Sequence, residues 1–175
     1  MTSVSYCIDD GYTTGLIGSV ALLHANTYHQ ISGFGQEFEA KVASELAEFT
    51  SRLSHPKNNI WHVTNNDRIV ASISIDGQDL GNNIAHLRWF IVDSTLRGSG
   101  LGRKLLTIAV QFCDDHDFSQ IDLWTFKGLD AARKLYEQCG FELASEQPGT
   151  QWGSEVIEQK FIRKQRSADN QEQPQ

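Results

Sequence analysis

The sequence predicts an α/β (α+β) fold, with a mixed, mostly antiparallel twisted sheet of about seven strands and helices on both faces. Two observations lead to this prediction. Residues 60–92 contain three consecutive strand-like runs separated by turn residues, which is typical of an antiparallel meander. After residue 92 the pattern changes to alternating helical and strand-like segments, which place helices against the sheet.

The first part of the chain is predominantly helical. Apolar residues recur at helical spacing over residues 16–28, and a second apolar stripe covers residues 38–53. Residues 29–36 contain two glycines that separate the two helices. A short apolar run predicts a first strand at residues 3–8.

The middle and last parts supply the sheet and two further helices. The run at residues 84–92, IAHLRWFIV, is mostly apolar, as expected of a central strand covered on both faces. A helix begins directly after the glycines near residue 100, and Gly140 is a typical stop for the last helix. The other strands are predicted at residues 60–63, 69–75, 121–126, 141–146 and 155–162.

Length and composition indicate one soluble domain, assigned to residues 1–163, followed by a polar tail at 164–175 expected to be disordered. The net charge of −7 argues against nucleic-acid binding, which needs clustered Lys and Arg. No targeting signal and no apolar run long enough to cross a membrane are visible, so a cytoplasmic protein is expected. Cys113 and Cys139 lie in apolar-periodic segments and are interpreted as reduced core residues.

The stretch LRGSGLGRKLL, residues 96–106, is the main functional signal. It joins a strand to a helix through three glycines, so free backbone N–H groups and the helix dipole face any anion bound there. Arg97, Arg103 and Lys104 add positive charge in an otherwise acidic chain. The stretch therefore predicts a phosphate or pyrophosphate site.

Two common phosphate-binding motifs do not match this stretch. The P-loop needs Gly-Lys-Ser or Gly-Lys-Thr, which is absent. The dinucleotide motif G-x-G-x-x-G fails because the third glycine follows at position 102 rather than 103. The pattern R-x-x-G-x-G is matched by Arg97, Gly100 and Gly102.

Together with AARKLYEQCGF at residues 131–141, this pattern resembles the GCN5-related N-acetyltransferase (GNAT) family over residues 60–162. Residues 22–28 and 33–49, together with the glycine stretch, the LWT run and AARKLYEQCGF, are also similar to the acetyltransferase domain that some bacteria fuse to a MarR-type regulator. Since the first predicted strand begins near residue 3, the chain is expected to be the free-standing version. The resemblance implies acetyl-CoA as co-substrate, no metal, a small-molecule or peptide amine as acceptor, and a homodimer.

The resemblance also assigns roles to residues of this sequence. It implies that Tyr136 is the general acid, with its hydroxyl near the sulfur of the coenzyme. Backbone groups are expected to hold the pantetheine arm like an added strand, and the glycine loop to hold the pyrophosphate. These coenzyme-binding residues are Phe90, Ile91 and Val92 for the arm, and Arg97, Gly98, Ser99, Gly100, Leu101, Gly102 and Arg103 for the pyrophosphate.

The general base and the acceptor pocket are less defined. His86 is the proposed base because an unperturbed imidazole titrates near pH 6.5, with Glu155, His24 and Glu39 as alternatives, or a water chain. The acceptor pocket is expected between the N-terminal helices and the last strands. Its candidates are His24, Tyr28, Phe34 and Glu155, with Phe38 and Trp152 also considered.

One position departs from the family pattern, because Leu129 stands where many relatives have an Asn that contacts the coenzyme. Two other functions therefore stay open. The chain could be a non-catalytic sensor or scaffold module that binds an acyl-CoA. A nucleotide-binding oxidoreductase is the third reading, although the glycine spacing argues against it.

Overall fold

A computed structural model describes residues 6–165, and within them the strands form a single mixed sheet. Its strand order is β1-β2-β3-β4-β5-β7-β6. The strands are β1 (Asp9–Asp10), β2 (Asn59–Asn65), β3 (Arg68–Asp76), β4 (Ile84–Val92), β5 (Gln120–Phe126), β6 (Glu142–Gly149) and β7 (Val156–Lys164). The helices are α1 (Leu16–Ser32), α2 (Gln36–Thr50), α3 (Leu101–Asp115) and α4 (Asp130–Gln138), and a 3-10 turn covers Ser94–Leu96.

The described sheet is antiparallel except where β4 pairs with β5. A parallel pair needs a crossover connection, and α3 supplies it between β4 and β5. The meander β2-β3-β4, the central position of β4 and the mixed sheet confirm the fold class predicted from the sequence.

Two apolar clusters place helices on both faces of the sheet. The first contains Leu101, Leu105 and Ala109 of α3 and Tyr136 of α4, packed on residues of the central strands. The second contains apolar residues of α1 and α2, including Leu16, Val20, Phe38, Val42 and Phe49. The sheet is thus covered by α1 and α2 on one face and by α3 and α4 on the other.

The predicted first strand differs from the observed one. Residues 3–5 lie outside the described residues, and residues 6–8 form no strand. Tyr6 and Ile8 are half-buried against the first cluster, so their apolar character reflects packing rather than strand pairing. The two-residue β1 follows at Asp9–Asp10, where Asp9 pairs with His62.

The other boundaries extend or confirm the predictions. Helix α4 ends at Gln138, and Gly140 beyond it has a φ of 86°, as expected of a helix stop. Strand β7 continues to Lys164, one residue into the predicted tail, and residues 166–175 lie outside the described residues. Among residues 6–165, no helix combines the length and the apolar character needed to cross a bilayer.

Candidate active site

Strands β4 and β5 pair over three residues and then diverge. Ile84, Ala85 and His86 pair with Gln120, Ile121 and Asp122. Beyond His86, the edge of β4 that faces β5 has no strand partner within the described residues. An open strand edge inside a sheet offers main-chain donors and acceptors to an extended ligand that carries amide groups.

The glycine turn follows this open edge, after the 3-10 turn at Ser94–Leu96. Gly98 and Gly100 have φ values of 78° and 80°, a left-handed conformation that L side chains rarely adopt. A Cβ atom built on either glycine would meet nothing within 4 Å, so the surface beside both residues is open. The two glycines therefore shape a turn whose outer side is free for a ligand.

Gly102 has a different role. A Cβ atom there would lie 3.3 Å from Leu135 Cδ1 and 3.6 Å from Phe90 Cζ. The missing side chain thus lets α3 pack closely on α4 and β4. Of the three alternating glycines, two determine the turn conformation and the third determines packing.

The start of α3 presents several free amides. Within residues 6–165, the backbone N–H groups of Gly98, Gly100, Gly102 and Arg103 have no hydrogen-bond partner. The first helical turn always leaves such donors unpaired, and the positive end of the helix dipole lies at the same place. Arg97, Arg103 and Lys104 are exposed around these amides. This arrangement can bind a phosphate or a pyrophosphate.

Tyr136 of α4 lies at the inner wall of the cleft that opens between β4 and β5. Its ring packs against Phe90, Phe141 and Phe161 with centroid distances of 5.8–6.0 Å. Its hydroxyl has no hydrogen-bond partner among residues 6–165. Burial raises the pKa of Tyr136, so the phenol keeps its proton at neutral pH and can donate it.

The cleft is a cavity of about 410 Å³, large enough for a small molecule. It reaches from Tyr136 and Phe90 on the α4 side to helices α1 and α2 on the other side. Its polar and charged wall residues include His24, Tyr28, Lys41, Glu45, Glu48, Asp79, His86, Arg88, Thr125 and Gln151. Residues on the α4 side and residues on the α1–α2 side thus line one cavity.

A β-bulge in β4 determines which side chains face each end of the cleft. Trp89 and Phe90 together oppose Ile73, because the register skips between Ser72 and Ser74. Trp89 has a φ of 46°, and the Ser72 hydroxyl donates a hydrogen bond of 2.7 Å to its carbonyl oxygen. The bulge turns Trp89 toward the α1–α2 face and Phe90 toward the α3–α4 face.

His86 forms a pair with Asp79, a residue of the turn between β3 and β4. His86 Nδ1 lies 2.5 Å from Asp79 Oδ2, and a carboxylate only accepts, so Nδ1 carries the proton. The imidazole also packs on the ring of Trp124 at 4.8 Å. Burial is the main cause that lowers the pKa of His86, so the ring is neutral at pH 7 and Nε2 is free to accept a proton.

Arg88 lies on the same face of β4 as His86. Its guanidinium donates to Glu45 of α2, and its Cζ lies 4.2 Å from the ring centroid of Trp89. Glu45 also accepts a hydrogen bond of 2.7 Å from Lys41. The sequence analysis assigned no role to Arg88, Glu45 or Asp79. These residues lie on β4, on α2 and in the turn between β3 and β4, and only the fold brings them together.

Four of the predicted acceptor residues line the cleft, namely His24, Tyr28, Phe38 and Trp152. His24 Nδ1 donates to the Val20 carbonyl at 2.8 Å, and burial lowers the pKa of His24 to about 4. A neutral imidazole held in this way is a weak base. Tyr28 packs edge-on against Phe38 and Phe126, and burial raises its pKa to about 12.

The structure places Phe34, Glu155 and Glu39 elsewhere. Phe34 is only 2% exposed and packs in the core behind the cleft wall, while the wall itself is formed there by Phe38 and Trp152. Glu155 and Glu39 are exposed and do not line the cavity. The acceptor contacts of Phe34 and Glu155 stay predictions, although neither side chain is part of this cavity wall.

Leu129, the departure from the family pattern, stands immediately before α4. It is half-buried and packs against the apolar cluster formed by α1 and α2. This position therefore supplies packing and no polar side-chain contact. Within residues 6–165, no group of three or more His, Cys, Asp or Glu side chains is arranged to hold a metal ion.

The chain is similar to proteins named N-acetylaspartate synthetase. One is the N-acetylaspartate synthetase of Danio rerio, 22% identical over 147 residues, which are 83% of this chain and 52% of that protein. The human N-acetylaspartate synthetase is 26% identical over 122 residues, 69% of this chain and 40% of that protein. The chain thus spans about half the length or less of these two relatives.

The fold also matches solved structures. The Salmonella typhimurium protein yncA, solved with its cofactor acetyl-CoA, aligns with a TM-score of 0.73 at 13% identity, covering 95% of this chain and 99% of that one. At this identity the likeness concerns the fold. A family model, described as the acetyltransferase (GNAT) family, matches residues 17–141. With the open β4 edge and the glycine turn inside that match, the chain belongs to the GNAT family of acetyltransferases.

Proposed function

We propose that the protein is an N-acetyltransferase that moves the acetyl group of acetyl-CoA to a primary amine of a small molecule, amino acid or peptide. The main observation in support is the cleft between β4 and β5. It combines an open strand edge, a protonated Tyr136 and a neutral His86 in one cavity, and the free amides at the start of α3 follow the same edge. A direct transfer needs these four elements.

The described residues fit the coenzyme. The edge of β4 at Phe90, Ile91 and Val92 would hold the pantetheine amides, and the amides between Gly98 and Arg103 would hold the pyrophosphate. The bound coenzyme supplies an acetyl thioester, whose carbonyl carbon is the electrophile. The ring of Phe90 packs against that of Tyr136 with a centroid distance of 6.0 Å, so the end of the open edge lies beside Tyr136.

His86 would prepare the acceptor amine for attack. A protonated amine has no free electron pair, so a proton must leave it, and Nε2 of His86 is available because Asp79 holds the proton at Nδ1. The exposed fraction of the His86 side chain is 15%, so the ring faces the cleft through a narrow opening. A bridging water molecule would carry the proton where the amine does not reach Nε2 directly.

Tyr136 would act at the end of the reaction. When the carbon–sulfur bond breaks, the departing thiolate needs a proton, and the phenol Oη of Tyr136 can give it. The hydroxyl makes no hydrogen bond among residues 6–165, so no internal contact has to break first. His86 and Tyr136 thereby separate the two proton transfers on opposite sides of the cleft.

The names of the relatives suggest an amino group next to a carbonyl or carboxyl group. N-acetylaspartate synthetase is named for an amino acid product. The Brucella melitensis ribosomal-protein-alanine N-acetyltransferase, which shares the fold with a TM-score of 0.72 at 14% identity over 91% of this chain and 99% of that one, is named for a protein N-terminus. Both acceptor types remain within the proposal.

Coenzyme A release, measured with a thiol-reactive dye over a panel of amines, tests the proposed transfer. We expect amine-dependent thiol release, with coenzyme binding measured separately by calorimetry. Tight coenzyme binding without release for any amine would instead favour the acyl-CoA-binding sensor module, which the apolar Leu129 keeps open. Binding of a nicotinamide cofactor, and none of coenzyme A, would reject both.

A further inference from the structure

The guanidinium of Arg88 is half-buried in the cleft wall and has unused hydrogen-bond donors. Its side chain is 14% exposed, and its one hydrogen bond within residues 6–165 runs from Nη2 to Glu45. Nη1 lies 3.9 Å from Asp79, beyond hydrogen-bond distance, and Nε has no partner in the described part of the chain. These donors are accessible from the cavity that Arg88 lines, so a ligand that enters the cleft can pair with them.

Other arginines of the protein show what a complete set of partners looks like. Arg163 donates to both carboxylate oxygens of Asp114, at 2.8 and 2.9 Å. Arg52 uses Nε, Nη1 and Nη2 on Glu48 and Asp76. Arg88 differs from both because it lines a cavity and because Glu45 occupies only one of its two paired-donor edges, Nε–Nη2 and Nη1–Nη2. Arg52 shows that Nη2 can serve both edges at once, so the remaining edge of Arg88 keeps the two-donor geometry that matches a carboxylate.

The charges around Arg88 favour a ligand that carries both signs. Lys41 and Arg88 face the cavity together with Glu45, Glu48 and Asp79. Glu48 accepts a hydrogen bond from Arg52. The charged wall residues other than Glu48 are thus two cations and two carboxylates. A polyamine would need an excess of carboxylates, and a dianion an excess of cations. A nearly balanced wall suits a zwitterion.

The position of Arg88 also suits the reaction. It directly precedes Trp89 at the bulge, between His86 and the open edge at Phe90. His86 is two residues away on the same face of β4, about 7 Å along the strand. In a free α-amino acid the amine is two bonds from the carboxylate carbon. A carboxylate held by Arg88 therefore keeps the amine between the His86 imidazole and the open edge.

We propose that the acceptor is a free amino acid and that Arg88 binds its α-carboxylate through the paired-donor edge of the guanidinium that Glu45 leaves free. This inference rests on the proposed acetyl transfer, and it narrows the acceptor class to exclude peptide N-termini and simple amines. The side chain of the amino acid is left to the pocket formed by Tyr28, Phe38 and Trp152.

The test compares free amino acids with their α-carboxamides and their decarboxylated amines in the presence of acetyl-CoA. Because a hydrogen bond to a charged group is among the stronger contacts, we expect the preferred amino acid to exceed its carboxamide at least about tenfold in kcat/KM. In Arg88→Gln this ratio should fall toward one. Arg88→Lys, which keeps the charge but not the two-donor geometry, should give an intermediate ratio.

Arg163→Gln is the matched control, because it removes an arginine ion pair outside the cleft and should keep the wild-type ratio. Equal use of acids and carboxamides by the wild type, or an unchanged ratio in a folded Arg88→Gln, would overturn the inference. If Arg88→Gln fails to fold, the ratio in Arg88→Lys decides.

A binding measurement separates this inference from the proposed transfer. Tryptophan fluorescence of the coenzyme A complex, titrated with the same compounds, reports ligands near Trp89 and Trp124 without turnover. Binding of amino acids but not carboxamides, weakened in Arg88→Lys, supports the carboxylate site even if no acetyl group is transferred. Equal binding of both series, or none, overturns it.

Discussion

Replacing Tyr136 with Phe removes one oxygen atom from the inner wall of the cleft and leaves the ring in place. The ring contacts Phe90, Phe141 and Phe161, and the hydroxyl makes no hydrogen bond among residues 6–165. No described partner is left unpaired, so the free energy of unfolding should change by less than about 0.5 kcal/mol. The variant therefore isolates the chemical role of the hydroxyl.

The expected effect on catalysis is larger. A positioned general acid contributes about 10² to 10⁴-fold, and the open cleft lets water replace it in part, so we expect kcat to fall by about 10²-fold, or about 2.7 kcal/mol. Steady-state thiol release gives kcat, and calorimetry gives the coenzyme Kd, which should change little. Tyr12→Phe, with an exposed ring outside the cleft, is the control. Unchanged turnover in Tyr136→Phe would refute the assignment.

Three further predictions test other parts of the site. Activity should rise with pH as His86 loses its proton, and burial places the pKa of His86 below its ordinary value. Asp79 raises the pKa of His86, so Asp79→Asn should move the acid limb of the pH–activity profile to lower pH and reduce kcat about tenfold. If the acid limb stays at the same pH in this variant, His86 paired with Asp79 is not the general base. Gly100→Ala, at a φ of 80°, should weaken coenzyme binding measurably by calorimetry, and wild-type affinity would contradict the loop assignment. Burial lowers the pKa of His24 to about 4 in the folded protein. The contribution of His24 to the free energy of unfolding is therefore complete above pH 6.5 and is lost as pH falls toward 4, by up to about 3 kcal/mol. His24→Gln should flatten this dependence in urea unfolding, and an equally steep dependence would exclude His24 as its cause.

The fold could be predicted because local patterns and tertiary structure agree in this chain. The apolar run of β4, the helical stripes of α1 and α2 and the stop at Gly140 all appear where the sequence places them. The exception is the first strand, where Tyr6 and Ile8 pack on the core without pairing. Apolar side chains indicate that a segment is buried, whereas a strand also requires backbone hydrogen bonds to a neighbouring strand.

The site could be predicted in part. The turn at Gly98 and Gly100 follows from local residue type, because only glycine adopts that conformation easily. The bulge at Trp89 has no comparable signal, since a tryptophan in a left-handed conformation is held there by tertiary contacts such as the Ser72 hydrogen bond. Asp79 reaches His86 from a turn that sequence reasoning treated as a connection.

The acceptor side shows the same limit. Arg88 was visible on the central strand, but its partner Glu45 is 43 positions away on a helix, and no sequence spacing indicates that contact. Phe34 and Trp152 are both aromatic, and only the fold shows that the first is core and the second is cleft wall. The cytoplasmic location and the homodimer stay predictions.

Hydrogen–deuterium exchange with and without coenzyme A tests most directly where the donor binds. If the coenzyme arm pairs with the edge of β4 and its pyrophosphate binds the start of α3, exchange should slow in segments that contain residues 87–92 and 98–103. Segments around the Arg163–Asp114 pair, outside the cleft, should exchange at the same rate in both samples. Coenzyme binding without protection of residues 87–92 and 98–103 would contradict the account.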